Sequence, residues 1–336
     1  MRVFIRVMGG ILLSITALCA HPARGATVVV YVSEDQVFSE PILKDFERET
    51  GIEVKAVYDT EETKSTGVMN RLIAEKNNPQ ADVYWANEPI RAEVLKQRGI
   101  ATPYFSPNAK EIAAAFKDPG GYWTGFSARA RVLIVHKRLA DKPDSILAYT
   151  DPRWKGRAVI ANPLFGTTTT HVAALFFAWG EERARKFMND LKGNATKIST
   201  SNGESADLVA KGEVDFSLVD SDDAVNRIRQ GKPVEMTCPD QETGQLGCLI
   251  LPNAALLLKD APHPLEARKL IDYLLSRETE RKLAFADCAQ IPLHSGVETP
   301  SDVLKLEKLQ TMPTDYAAIA RKLREIQPYL KAWVGY

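Results

Sequence analysis

Residues 158–179 read A-V-I-A-N-P-L-F-G-T-T-T-T-H-V-A-A-L-F-F-A-W, and the change of rhythm inside that stretch decides the fold. Ala158 to Ala161 is an apolar run of buried-strand length, broken by Asn162, Pro163 and Gly166. From Thr167 the apolar residues recur at helical spacing, with Val172, Leu175, Phe176 and Trp179 on one face. A strand therefore feeds a helix through a turn, and threonines crowd the helix start. The first turn of a helix has backbone N–H groups without intrahelical partners and carries partial positive charge. Gly166, Thr167, Thr168 and Thr169 then offer a seat for a phosphate, phosphonate or carboxylate. The alternative is that one threonine caps the helix and the others are solvated. No Gly-Lys-Ser/Thr follows, so this is not a nucleotide-binding P-loop.

The same strand-turn-helix rhythm extends towards both ends of the chain. T-V-V-V-Y-V at 27–32 is a β-branched strand that ends in Ser33-Glu34-Asp35, before a helix carrying Phe38, Ile42 and Phe46. Residues 52–57 alternate as a strand, and 81–85 form another that runs into Asn87 and Glu88. Alternating strands and helices predict an α/β fold with a largely parallel sheet. In such sheets ligands collect beyond the carboxyl ends of the strands, which singles out Ser33, Glu34, Asp35, Asn87 and Glu88. Gly120 to His136 reads as an extended connection between two lobes. It carries Arg129 and Arg131, of which Arg129 lies nearer the expected cleft and is the candidate fork for an anion. Beyond residue 179 the pattern repeats. A strand at 197–199 meets a polar turn containing Ser201 and Asn202, and a strand at 214–219 ends in Asp220-Ser221-Asp222-Asp223, before a helix expected at 224–230. One of these carboxylates suits a helix cap; three together suit an ammonium group, sugar hydroxyls or a hard cation. Gly247 to Lys259 is a second extended apolar segment that returns the chain to the first lobe, and 301–336 reads as helices covering a lobe.

Composition narrows the function. The chain has 336 residues, 43 basic against 43 acidic side chains and 45% apolar residues, which is enough for two lobes and leaves no electrostatic footprint for nucleic acid or an acidic membrane. Arg2 and Arg6 precede an apolar run from Val7 to Ala20, then small residues to Gly25, so residues 1–25 read as a secretory signal peptide and place the protein in the periplasm. The run is short for a spanning helix, and Cys19 lacks lipobox spacing. In an oxidising compartment Cys238 and Cys248 could close a short loop, leaving Cys288 over; the spacing does not settle the connectivity. No Cys-x-x-Cys pair points to a metal.

Several segments together carry a resemblance: T-V-V-V-Y-V, D-F-E-R-E-T-G-I-E-V, A-D-V-Y-W-A-N-E, W-T-G-F-S-A-R-A-R-V-L-I-V, W-K-G-R-A-V-I-A-N-P-x-x-G-T-T and, most specifically, L-I-L-P-N-A-A-L-L-L-K-D-A-P-H-P-L-E-A-R-K-L-I-D-Y-L-L-S. Nearly the whole mature chain resembles the bacterial extracellular solute-binding proteins of the ferric-iron-binding type. The resemblance implies a two-lobe periplasmic binding protein fold with crossing hinge strands, a ligand in the cleft between lobes, and delivery to an inner-membrane ABC permease. It divides the chain into 27–128 plus 249–300 as the N-terminal lobe and 129–248 plus 301–336 as the C-terminal lobe. Ferric members use adjacent tyrosines where this chain has Asp220-Ser221-Asp222-Asp223, and a histidine where it has Ser33-Glu34-Asp35. Only Glu88 matches their ligand set, while the anion seat is kept.

These readings converge on a monomeric binding protein without cofactor, membrane insertion or nucleic-acid partner. Its expected ligand is a small organic anion, a phosphonate or phosphate ester such as an aminoalkylphosphonate or a sugar phosphate. The alternative is ferric iron or another hard cation on Glu34, Glu88, Asp220 and Asp222, with an anion on the threonines. An enzyme is not expected: no Gly-x-Ser-x-Gly elbow or His-Glu-x-x-His motif occurs, His171 sits inside an amphipathic helix, and His136, His263 and His294 read as surface or capping residues.

Overall fold

A computed structural model describes residues 25–59 and 66–335; the expected signal peptide and Cys19 lie outside them, apart from Gly25. The first block runs β1 (Thr27–Val32), α1 (Gln36–Thr50), β2 (Glu53–Tyr58), α2 (Gly67–Ala74), β3 (Val83–Ala86), α3 (Pro89–Gln97) and the short β4 (Ala101–Thr102). A long strand β5 (Thr124–His136) leads to the second block. This comprises β6 (Ala158–Ala161), α4 (Gly166–Trp179), α5 (Glu181–Gly193), β7 (Lys197–Ser199), α6 (Asn202–Ala210), β8 (Phe216–Asp220), α7 (Ser221–Arg229) and β9 (Val234–Thr237). The strand β10 (Ile250–Leu258) returns, and α8 (Pro264–Leu274), α9 (Arg277–Phe285) and α10 (Tyr316–Val334) complete the chain. No described helix is long and apolar enough to cross a membrane.

The strands lie in the order β2-β1-β3-β10-β5-β8-β6-β7, with β4 beside β10 and β9 beside β5. Within each block the pairing is parallel, β2-β1-β3 and β8-β6-β7, while β5 and β10 pair antiparallel with each other and with their block neighbours. Thus two parallel blocks are joined by two crossing strands. A parallel strand followed by a helix places the helix N-terminus at the strand's carboxyl end. Local sequence enforces the turns: Gly51 ends α1 at φ 70°, a left-handed conformation that an L side chain resists.

The crossing strands are irregular where the blocks meet. The β5–β10 register shifts between Pro252 and Asn253, and Ser127 opposite holds φ 38°. Asn253 fills this point: it accepts from Trp85 Nε1 (3.1 Å) and donates to the Ser127 carbonyl (2.6 Å) and Gln290 Oε1 (2.8 Å).

The core divides by sheet face. Alternate strand residues such as Tyr31, Tyr84, Leu133, Ile160 and Leu256 belong to one apolar cluster, and Val30, Val83, Val132, Val159 and Leu257 to the other. Each cluster therefore runs through both blocks, because strand side chains alternate between faces with period two. Burying each Val, Leu or Ile stabilises the fold by about 1.5–3 kcal/mol.

Three expectations change. The helix expected from Ala224 begins at Ser221, so Asp222 and Asp223 lie in its first turn. The tail is chiefly one long helix, α10, which packs on both α3 and α4 and so touches both blocks. His294 is buried, its Nδ1 2.8 Å from Glu280 Oε2, and that carboxylate holds the imidazole pKa above its ordinary value.

Candidate ligand-binding cleft

Between the blocks is a cavity of about 130 Å³ lined by Asp35, Asn87, Arg129, Asn162, Phe165, Gly166, Thr167, Thr168, Thr200, Ser201, Asn202, Gly203, Asp220, Asp222 and Asp223, with Ala161 at its wall. Helix starts converge on it. Asp35 is the N-cap of α1, Glu88 beside Asn87 that of α3, Ser201 that of α6 and Asp220 that of α7, while α4 opens at Gly166. Their dipoles contribute positive potential, set against the lining carboxylates of Asp35, Asp220, Asp222 and Asp223. α6 is closed by a side chain, Ser201 Oγ accepting from Glu204 N at 3.1 Å. α4, like α1, α3 and α7, has no side-chain cap, and its first residues Gly166, Thr167 and Thr168 line the cavity.

Beneath that turn lies Arg131, fully buried. Its Nη1 donates to Asp220 Oδ1 (2.8 Å) and Thr167 Oγ1 (3.1 Å), and its Nη2 to Thr168 Oγ1 (3.2 Å) and the Leu218 carbonyl (3.1 Å). Thr167 Oγ1 in turn donates to Asp220 Oδ2 at 2.8 Å, and Asn202 Nδ2 lies 2.9 Å from Thr167 Oγ1 and 3.3 Å from Asp220 Oδ2. Burial alone would raise the Asp220 pKa, but Arg131, Arg129 and the hydroxyl donors outweigh it and hold the group below the ordinary carboxylate range. Asp220 is thus an internal anion already engaged by the donors of the seat.

Arg129, not Arg131, lines the cavity. It is held from the first block by Glu34 Oε2 (3.2 Å) and the Asn87 carbonyl, and lies 3.7 Å from Asp222 Oδ2. Glu34 is itself fixed by Gln290 Nε2 at 3.1 Å. Burial opposes the Arg129 charge, but these carboxylates overcome it and raise its pKa.

The sequence candidates therefore divide. Asp35, Asn87, Arg129, Gly166, Thr167, Thr168, Ser201, Asn202, Asp220 and Asp222 meet at the cavity. Ser33 does not: its Oγ is tied to Tyr84 Oη (2.8 Å) and Asp59 Oδ2 (3.1 Å). Glu34 stands behind Arg129. Glu88 is buried between Arg91 Nε (3.0 Å) and the Thr170 hydroxyl, and burial raises its pKa despite both. Thr169 is turned into the core, and Ser221 Oγ accepts from Ala130 N at 3.2 Å. His171 is also in the core, its pKa pushed down to about 3 by burial and by Arg131, and neither ring nitrogen has a hydrogen-bond partner among the described residues. Asp223 of the expected acidic cluster also lies at the cavity, and Asn162, Phe165, Thr200 and Gly203 were not among the candidates. The rule that selected Asn87, the first polar residue after a strand, selects Asn162 and Thr200 as well.

The cation set expected from the sequence does not assemble. Among the described residues, the acidic group close enough to share one ion is Asp220, Asp222 and Asp223, whose ligand atoms lie within 4.8 Å of one another; Glu34 and Glu88 are not part of it.

Comparison with known proteins agrees with this architecture. Residues 81–319 match the family model described as bacterial extracellular solute-binding protein. A putative 2-aminoethylphosphonate-binding periplasmic protein of Salmonella typhimurium is 27% identical over 300 residues, covering 87% of this chain and 86% of that one. Iron-bound HitA from Pseudomonas aeruginosa superposes with a TM-score of 0.81 at 24% identity, covering 91% of this chain and 99% of HitA. The periplasmic binding protein AfuA from Actinobacillus pleuropneumoniae, with fructose-6-phosphate bound, gives a TM-score of 0.79 at 24% identity over 91% of this chain and 99% of AfuA. At these identities the two structures establish the fold.

Proposed function

The chain belongs to the bacterial extracellular solute-binding proteins, and from that premise we propose that it captures a small phosphonate or phosphate ester in the cleft and delivers it to an inner-membrane ABC permease. In this reading residues 27–128 with 249–300 and residues 129–248 with 301–336 are the two jaws. The observation that carries it is the uncapped start of α4, which opens on the cavity beside Thr167, Thr168 and Asn202. An anionic head there receives backbone donors, and the hydroxyls of Thr167 and Thr168 join them by leaving Asp220 and Asn202.

The charge balance favours a ligand with a positive end. Asp35, Asp220, Asp222 and Asp223 line the cavity against Arg129, and Arg131 offsets only Asp220. A simple dianion meets net repulsion in such a site, whereas the ammonium of an aminoalkylphosphonate lies favourably towards Asp222 and Asp223. Two of the named ligands of the related proteins, 2-aminoethylphosphonate and fructose-6-phosphate, share the phosphorus-centred head, and HitA holds iron.

Isothermal titration of the purified protein with 2-aminoethylphosphonate, fructose 6-phosphate and inorganic phosphate tests this. Saturable binding of the phosphonate, accompanied by thermal stabilisation of about 2.7 kcal/mol at a hundredfold excess over Kd, is expected. Binding of none of the three sinks the reading. A second reading, a hard cation with an accompanying anion, is favoured by the proximity of Asp220, Asp222 and Asp223. It requires stoichiometric metal in protein purified without chelator.

A further inference from the structure

β9 and β10 lie end to end along one edge of β5. Both run antiparallel to it: Thr237 pairs with Leu133, Ile250 pairs with Ala130, and Arg131 N donates to the Leu249 carbonyl at 2.8 Å. Continuing each register, by one residue from Thr237 and by two from Ile250, brings Cys238 and Cys248 opposite the same residue, Val132. Residues 239–247 are therefore an excursion from a single strand line, and the two cysteines form its neck. Cys248 is buried and its Sγ donates to the Gln310 carbonyl at 3.7 Å, while Cys238 beside it is half-buried. Cys288 stands apart, its Sγ donating to the Leu283 carbonyl at 3.3 Å.

We propose that Cys238 and Cys248, thiols in this structure, are a disulfide site that closes the neck of the 239–247 loop once the protein is exported. The inference rests on the extracytoplasmic setting of the family and not on the identity of the ligand. The oxidant is a dithiol–disulfide carrier. The half-buried Cys238 sulfur attacks the carrier's disulfide as a thiolate and forms a mixed disulfide. That attack expels the carrier's other sulfur as a thiolate; the buried Cys248 then loses its proton and attacks Cys238 Sγ, expelling the carrier sulfur bonded to it, so two protein thiols are oxidised and one carrier disulfide is reduced to two thiols. Exposure supports these roles, since the half-buried Cys238 is the thiol a carrier can reach and the buried Cys248 the one that resolves the mixed disulfide.

The neck also holds the chain that leads into α10. Cys248 N donates to the Gln310 carbonyl (3.0 Å), Met312 N to the Cys248 carbonyl (2.9 Å), and Gln241 Nε2 to the Gln310 carbonyl (3.0 Å). Gly247, at φ 80°, lies so close to Gln310 that an added Cβ would be 2.7 Å from that carbonyl oxygen.

Protein purified from the periplasm without reductant is alkylated in denaturant and digested with trypsin. Residues 230–259 stay in one peptide, because the lysine at 232 precedes proline and no other cleavage site intervenes. That peptide is expected unalkylated and lighter by two hydrogens, and after cleavage at Glu242 its halves separate only on reduction. Reductant is expected to lower the wild-type Tm by about 3 °C, and to leave Cys238→Ser unmoved. Alkylation of both cysteines without reductant, or a cross-link to Cys288 or to a second chain, overturns the proposal. The ligand titration is unaffected by either outcome, so the two readings fail separately.

Discussion

The two rims of the cleft are built by the same rule and used differently. On each, parallel strands deliver helix N-termini and polar residues to the gap. On the first rim most of those residues are already engaged: Ser33 by Tyr84 and Asp59, Glu34 by Gln290 and Arg129, Glu88 by Arg91 and Thr170. On the second rim Gly166, Thr167, Thr168, Ser201, Asn202, Asp220 and Asp222 all reach the cavity, and Thr167, Thr168, Asn202 and Asp220 are bonded to one another and to Arg131 while still lining it. Position in the fold nominates a residue; what else its polar atoms touch decides its task. The first rim serves mainly to hold Arg129 in place, and the second presents the donors.

The largest effect should come from below the second rim. Arg131→Met leaves the buried Asp220 without its guanidinium and is expected to cost about 3–5 kcal/mol in urea unfolding. The double variant Arg131→Met/Asp220→Leu should recover much of it. If the single variant melts like wild type, Asp220 is not the organising anion of that rim.

His171 comes next. Its folded pKa, about 3, lies below the ordinary 6.5, so the unfolded chain binds a proton that the folded one refuses. Stability from this group is complete above pH 6.5 and is lost as pH falls towards 3, by about 2 kcal/mol between pH 7 and pH 5. Urea melts of wild type and His171→Leu at both pH values isolate it: their difference should shrink at pH 5, and a constant difference would refute the assignment.

Smaller effects sharpen the contrast between rims. Thr167→Val should weaken phosphonate binding about tenfold, the loss of roughly one hydrogen bond. Thr169→Val, two residues on but turned into the core, should leave Kd within about twofold, because its Oγ1 has no hydrogen-bond partner among the described residues. Ser33→Ala on the first rim should change Kd least of all. Equal losses from Ser33→Ala and Thr167→Val would abolish the distinction between rims.

Much of this was legible because it is local. The β-branched run at 27–32 and the switch from strand to helix at 158–179 are written in adjacent residues, and so is the placing of Thr167 at a helix start. What was not legible depends on distant partners. Glu34 is withdrawn from the cleft by Gln290, 256 residues away, and Glu88 is engaged by Thr170, 82 residues away. α7 begins at Ser221 with Asp222 and Asp223 in its first turn, and its N-cap Asp220 turns its carboxylate to Arg131, 89 residues distant, instead of making a side-chain cap bond. Periodicity finds the elements; it does not reveal which polar atoms are consumed across the sheet.

The division of the core by sheet face has a consequence for how the molecule comes apart. A protein with two jaws invites the expectation of two separate melting events. Here each apolar cluster contains residues of both blocks, Tyr31 with Phe176 in one and Val30 with Val225 in the other. Neither jaw keeps a whole core when the other is lost, so unfolding should be cooperative, with a calorimetric enthalpy equal to the van't Hoff value. The two blocks share two crossing strands and should denature as one.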